Sequence, residues 1–225
     1  MNISEVAQCR QCARLATFLD EVKQDNPGYY AQPVLAFGDA RPRLLIVGLA
    51  PGMHGANRTG RPFTGDHAGI LLYQTLHRFG FASRAVSTAS DDGLQLLGCR
   101  ITNAVKCLPP QNKPETGEIK QCNPFLAQEI ALLDWSSAIL ALGTIAHQAV
   151  LLACKLKARD YPFAHGASHA LPNGLVLHDS YHCSRYNTQT RRLTAEMFEA
   201  VFAAISSQLH RSAACPTSIS ASPAL

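Results

Sequence analysis

The run Arg43-Leu44-Leu45-Ile46-Val47-Gly48 sets four large apolar residues in a row before a glycine- and proline-rich stretch. So short and branched a run predicts a strand buried on both faces, not one with alternating wet and dry sides. Arg100 to Val105 reads as a second strand, Ala138 to Gly143 as a third, and Leu175 to His178 as a fourth. Between them the apolar spacing changes to that of helices. One runs from about Asp66 to Gly80 through Ile70, Leu71, Leu72, Leu76 and Phe79. A second runs from Glu118 to Leu133, and Thr144 opens a third that reaches about Leu156. A fourth, from about Thr190 to Leu209, carries Leu193, Met197, Phe198, Val201, Phe202 and Ile205 on one side.

Apolar strands alternating with helices predict an α/β fold, a three-layer αβα sandwich around a central four-stranded parallel sheet. In such sheets ligands bind beyond the carboxyl ends of the strands. The unusual segments all follow strands: Gly48 to Asp66, Asn103 to Pro110 and Asp179 to Asn187. They are expected to converge on one rim. No internal repeat is present. Residues 1–211 are expected to form one domain with an N-terminal cysteine-bearing segment, and the Ser/Ala/Pro-rich residues 212–225 a disordered tail.

Composition narrows the class. The chain has 225 residues, 47% of them hydrophobic, which excludes a wholly disordered protein. No apolar run approaches the roughly 20 residues of a membrane span. The start, MNISEVAQCRQC, lacks a basic region followed by an apolar core, so a cytoplasmic protein is expected. A net charge of +4 permits a nucleic-acid partner without demanding one.

Eight cysteines are many for a reducing compartment, where stable disulfides are rare. Cys9 and Cys12 form a C-x2-C pair, and Cys107 and Cys122 a wider one. Four thiolates suit tetrahedral zinc or an iron–sulfur cluster, and spacing does not choose between them. Cys107 and Cys122 also fit as plain buried thiols. Cys99, Cys154, Cys183 and Cys215 fall into no pair. Cys183 beside His182 makes a poor thiol–imidazole dyad, because neighbours in a chain seldom aim at each other.

The longest loop, GLAPGMHGANRTGRPFTGD, is rich in glycine, which lets a ligand approach the backbone closely. It lacks the P-loop arrangement. Phe63 in its middle suits either a stacking platform for a planar ligand or a core anchor for the loop. Asn103 carries the donor and acceptor needed to read an imide edge. His182 sits just past the last strand.

Taken together, these segments resemble the uracil-DNA glycosylases, family 5 most closely, with a relationship to the iron–sulfur family 4. The match runs from Cys9 to about Thr194. The loop Gly48–Asp66 resembles the first motif, ITNAVKCLPPQNKP the second, and SYHCSRYNTQTRRLT the third. The resemblance implies the glycosylase-like αβα fold and a 4Fe-4S cluster on Cys9, Cys12, Cys107 and Cys122. It implies that Phe63 stacks on an extruded base, Asn103 bonds its edge, His182 faces uracil O2, and main-chain groups at Gly48 and Ala50 line the pocket. Ser184 and Arg185 would sit on the DNA backbone or in the gap left by the base. Arg58, Arg61, Arg191 and Arg192 would join them at the DNA.

The chain departs from the family at several points. His182-Cys183-Ser184 replaces the usual His-Pro-Ser, and Arg191 stands where glycine is commoner. Ala50 stands where other branches place a water-activating carboxylate, leaving Asn57 and Asp66 as the nearest candidates. The implied activity is hydrolysis of the N-glycosidic bond of uracil in DNA, with hypoxanthine or other deaminated bases as further substrates. The implied partner is uracil-containing DNA, with no membrane, and the chain is expected to act as a monomer. Two rival readings stay open: a uracil-DNA binding protein that does not cleave, or that traps DNA covalently, and an iron–sulfur redox protein.

Overall fold

The computed structural model describes residues 3–213. The expected tail and Cys215 fall almost wholly or wholly outside them. In chain order the elements are α1 (Ile3–Ala7), α2 (Ala13–Asp25), β1 (Phe37–Gly38), β2 (Leu44–Gly48), α3 (Ala56–Thr59), α4 (His67–Arg78), β3 (Cys99–Asn103), α5 (Thr116–Ala131), β4 (Ala138–Leu142), α6 (Thr144–Ala153), β5 (Ser168–Ala170), β6 (Val176–Ser180), α7 (Arg185–Gln189) and α8 (Ala195–Ala213).

The six strands form one sheet in the order β1-β3-β2-β4-β6-β5. The inner four are parallel, and the short outer two run antiparallel. The four expected parallel strands are therefore the centre of the sheet. The edge strands, two and three residues long, are too short to leave an apolar pattern.

Strand β2 shows why the sandwich has three layers. Leu44 and Ile46 pack with α4 and α8 on one face, and Leu45 and Val47 with α5 and α6 on the other. Successive side chains point to opposite faces, so a continuous apolar run fills two cores at once. Each such side chain stabilises the fold by about 2 kcal/mol relative to exposure.

The observed helices differ from the expected ones mainly at one place. The helix expected from Thr190 begins at Ala195 instead, preceded by the short α7. Arg191 takes a left-handed φ of 56° just after Thr190 caps α7, which interrupts the chain. Thr194 then restarts it, its Oγ1 accepting the Met197 N–H at 3.2 Å.

Strand ends are aligned by register. Gly48 pairs with Asn103, and Leu142 with Ser180. The segments after β2, β3 and β6 thus leave the same edge of the sheet, at the point where β3 and β4 lie on opposite sides of β2. The segment before β6 is held by Asp179, fully buried, which accepts from His147 Nδ1 at 2.7 Å and His169 Nε2 at 3.3 Å. Burial alone would depress the His147 pKa, but Asp179 and the Tyr161 carbonyl outweigh it and raise it.

Candidate functional site

Two glycines decide how the first loop reaches the sheet edge. A Cβ on Gly69 of α4 would fall 1.9 Å from the Phe63 carbonyl oxygen, so only glycine lets the loop lie against that helix. Tyr73, also on α4, donates to the Pro62 carbonyl at 2.9 Å. Phe63 itself is held at φ 53°, a conformation that costs a non-glycine residue free energy and persists only where the surroundings fix it. Gly48 does the rest. A Cβ there would fall 2.4 Å from Asn103 Oδ1 and 2.7 Å from Phe63 Cζ, so its absence brings amide and ring against the same point.

Phe63 and Asn103 line an open cleft of about 440 Å³ with Leu49, Ala50, Asp66, His182, Ser184 and Arg185. The Phe63 and His182 rings lie side by side in it, centroids 5.8 Å apart and 29° from parallel. Asn103 is 3% exposed, and its Oδ1 is buried without a hydrogen-bond partner among the described residues. A buried acceptor left unpaired is costly, and a ligand donor in the cleft would satisfy it. Burial pushes the His182 imidazole down to about 4, so it is neutral near pH 7. Phe63, Asn103 and His182, expected from the sequence to converge, share this one cleft.

The two candidates for handling water are placed differently. Asp66 lines the cleft and caps α4, accepting the Gly69 N–H at 2.8 Å. Burial raises its carboxyl pKa, while the Gly69 and Ala68 N–H groups and His67 pull it back. Asn57 is fully buried, does not line the cleft, and neither polar atom of its side chain has a partner among the described residues.

The arginines divide as well. Arg58, Arg185, Arg191 and Arg192 are exposed. Arg61 is not at the surface and is withdrawn from the expected DNA face. It is 4% exposed, pairs with Asp92 at 2.7 Å and lies 4.7 Å over the Phe37 ring. Asp92 is held down at about 2: burial opposes this, and the N–H groups of Leu94, Thr88 and Ala89 together with Arg61 prevail. Ser184 caps α7, accepting the Asn187 N–H at 3.4 Å, and Asn187 Nδ2 donates to the His182 carbonyl at 2.8 Å. Cys183 is fully buried in the α4/α8 core with its thiol pKa pushed up, so no thiolate faces the cleft from that position.

Sequence reasoning missed several residues here. Asn112 and His67 also line the cleft, and Tyr186 stands 70% exposed beside Arg185. An exposed aromatic next to an arginine in the third segment was the available signal for Tyr186.

Away from the cleft, Cys9, Cys12, Cys107 and Cys122 line one small cavity between α2, the segment after β3 and α5. All four are free thiols packed with Leu15, Val105 and Phe125. Burial, then the neighbouring thiols Cys122, Cys9 and Cys12, pushes Cys107 up to about 12. Four thiolates this close need a cationic group to ionise together. Among the described residues, His147, His169 and Asp179 bring three ligand atoms within 4.8 Å of one another. Arg14 ties the two walls of the cavity, donating to Glu118 at 2.8 and 2.7 Å.

Among the described residues no helix is long and apolar enough to cross a membrane. The family model of the uracil DNA glycosylase superfamily matches residues 35–206. A type-5 uracil-DNA glycosylase of Thermus thermophilus is 47% identical over 87% of this chain and 91% of its own length. Type-5 enzymes of Mycobacterium leprae and Pyrobaculum aerophilum are 43% and 36% identical, each over 88% of this chain, covering 90% and 88% of their own lengths. This chain belongs to the uracil-DNA glycosylase superfamily.

Proposed function

We propose that this protein is a DNA-repair glycosylase that hydrolyses the N-glycosidic bond of uracil in DNA and leaves an abasic site. Residues 1–211 act as one glycosylase domain. The observation that carries the reading is the shared cleft of Phe63, Asn103 and His182, with an orphaned acceptor at Asn103.

A base in a duplex must leave the stack to be reached, at a cost of a few kcal/mol that is least at a mismatch. The extruded uracil stacks on Phe63. Asn103 Oδ1 accepts the uracil N3–H, and its amide N–H donates to O4. The glycosidic bond breaks early, leaving cation character on the sugar and negative charge on the uracil oxygens. Neutral His182 donates an N–H toward O2, with main-chain groups at Gly48 and Ala50 beside the base. One preorganised donor of this kind contributes roughly 3 kcal/mol to the barrier. Asp66, at the cleft wall, positions the attacking water; Asn57 lies behind that wall. Arg58, Arg185 and Arg191, with Ser184, meet the DNA backbone.

Hypoxanthine presents the same N–H and carbonyl pair as uracil, and the cleft has room for a purine, so it is a second substrate. Cys9, Cys12, Cys107 and Cys122 hold a 4Fe-4S cluster. Their shared cavity supports this. Bound there, the cluster supplies iron–thiolate bonds that fasten the N-terminal segment to α5 and the loop after β3.

The test is chromatographic. The protein is incubated with oligonucleotides carrying uracil or hypoxanthine, and the released base is measured. Free uracil in at least stoichiometric yield supports the reading. Tight binding without base release, or a protein–DNA species stable in denaturant, would instead establish the binding or covalent-trapping alternative.

A further inference from the structure

Lys106 is a cation with almost no access to water, at 1% exposure. Its ammonium donates to the Asn103 main-chain carbonyl at 3.0 Å and to the Thr102 hydroxyl. It also pairs with both Glu129 oxygens, at 3.2 and 3.0 Å. Its main-chain N–H donates to Cys122 Sγ at 3.3 Å. Cys122 and Glu129 are seven residues apart on α5, about two turns, and so share one face of that helix. Lys106 therefore touches α5 at both points while gripping the residue that ends β3.

Burying an ammonium is unfavourable unless it is paired and hydrogen-bonded, and an apolar side chain would fill the same volume without that cost. What a leucine could not do is hold a carbonyl. The held carbonyl belongs to Asn103, whose side-chain oxygen is the unpartnered acceptor in the cleft. The next two residues are fastened as well: the Ala104 and Val105 N–H groups donate to the Gly48 and Leu49 carbonyls at 2.9 and 3.0 Å. The Asn103 carbonyl and the Ala104 N–H belong to one planar peptide unit, so the Gly48 carbonyl holds that unit from one side and the Lys106 ammonium from the other, next to the Cα that carries the amide.

We propose that Lys106 is a positioning residue for base recognition. Its ammonium fixes the main chain at Asn103 and, through Cys122 and Glu129, ties the base-reading amide to the helix that carries part of the cysteine centre. This rests on the reading of Asn103 as the residue that bonds the base.

A double-mutant cycle tests it. Lys106→Met and Asn103→Ala are measured singly and together in single-turnover release of uracil. If Lys106 acts through Asn103, Lys106→Met slows release about tenfold or more in the native background and less than about twofold in Asn103→Ala. Affinity for the same oligonucleotide with thymine in place of uracil stays within about twofold, because the DNA face is untouched. Visible absorbance and the thermal midpoint report the cysteine centre and the fold. Lys106→Met/Glu129→Met, which removes both charges but keeps the packing, carries the cycle if the single variant fails to fold. Losses that multiply, or native rates in both Lys106 variants, would overturn the proposal. If the native protein releases no uracil, the glycosylase reading fails separately. The cycle is then read in binding preference for uracil over thymine oligonucleotides, with the same criterion.

Discussion

Gly48→Ala perturbs the point where the Asn103 amide and the Phe63 ring meet. Gly48 does not take a left-handed φ, so alanine meets no backbone penalty and the whole effect is contact. The new carbon would fall 2.4 Å from Asn103 Oδ1 and 2.7 and 2.8 Å from two Phe63 ring carbons. Ordinary contacts begin near about 3.3 Å for carbon to oxygen and about 3.5 Å for carbon to carbon. Amide and ring must each retreat by roughly 0.8 Å. Phe63 cannot yield freely, because its backbone is held at φ 53° and its carbonyl lies against Gly69. Overpacking of this size costs about 1–3 kcal/mol of stability. For a domain of this length that lowers the melting midpoint by several degrees, about 2–4 °C per kcal/mol. Misplacing a catalytic group by nearly 1 Å costs up to about 10²-fold in rate. Single-turnover uracil release should therefore fall between about tenfold and 10²-fold, by far more than affinity for undamaged DNA. A Gly48→Ala protein with native rate and native melting would refute the view that ring and amide are pressed together at this residue.

Asp66→Asn separates two roles of one side chain: asparagine caps a helix as well as aspartate, so the melting midpoint should hold while uracil release falls at least about tenfold. Equal rates would remove the carboxylate from the handling of water. The His182 pKa is depressed from 6.5 to about 4, so the imidazole stays neutral until the pH approaches 4. A pH–rate profile should show no step at 6.5; loss of rate centred at 6.5 would contradict this. The same shift makes the unfolded chain bind a proton that the native state refuses between about 6.5 and 4, so His182 and similarly depressed His178 should lower stability as pH falls through that window. Arg61→Ala should lower stability by about 1–3 kcal/mol, because it removes the bond to Asp92 and the packing on Phe37, while three N–H groups still hold the Asp92 carboxylate. Arg185→Ala should instead leave melting unchanged, weaken DNA binding and reduce its salt dependence by about one phosphate contact.

Strands β2 and β4 were legible because they are buried on both faces and carry near-continuous apolar runs. The cleft was legible for a related reason: a parallel sheet sends the segments after its strands to one edge, so Phe63, Asn103 and His182 could be grouped before any coordinates. What the chain hides is long-range pairing. Arg61 and Arg185 read alike in sequence, and only the approach of Asp92, 31 positions away, buries the first. Lys106 reads as one more surface lysine in a proline-rich segment until Glu129 is brought beneath it. Gly69 reads as a weak point in a helix, although it is where the Phe63 loop docks. The start of α8 was misjudged because a left-handed arginine leaves no mark in the pattern of apolar residues.

The most direct measurement is a crystal structure of the protein with uracil bound, or with a duplex carrying a non-hydrolysable deoxyuridine analogue. The pyrimidine ring should be stacked on Phe63, its N3 and O4 within hydrogen-bond distance of the Asn103 amide, and O2 facing His182. A base seated anywhere else, or one that leaves Asn103 Oδ1 still unpaired, would contradict this reading.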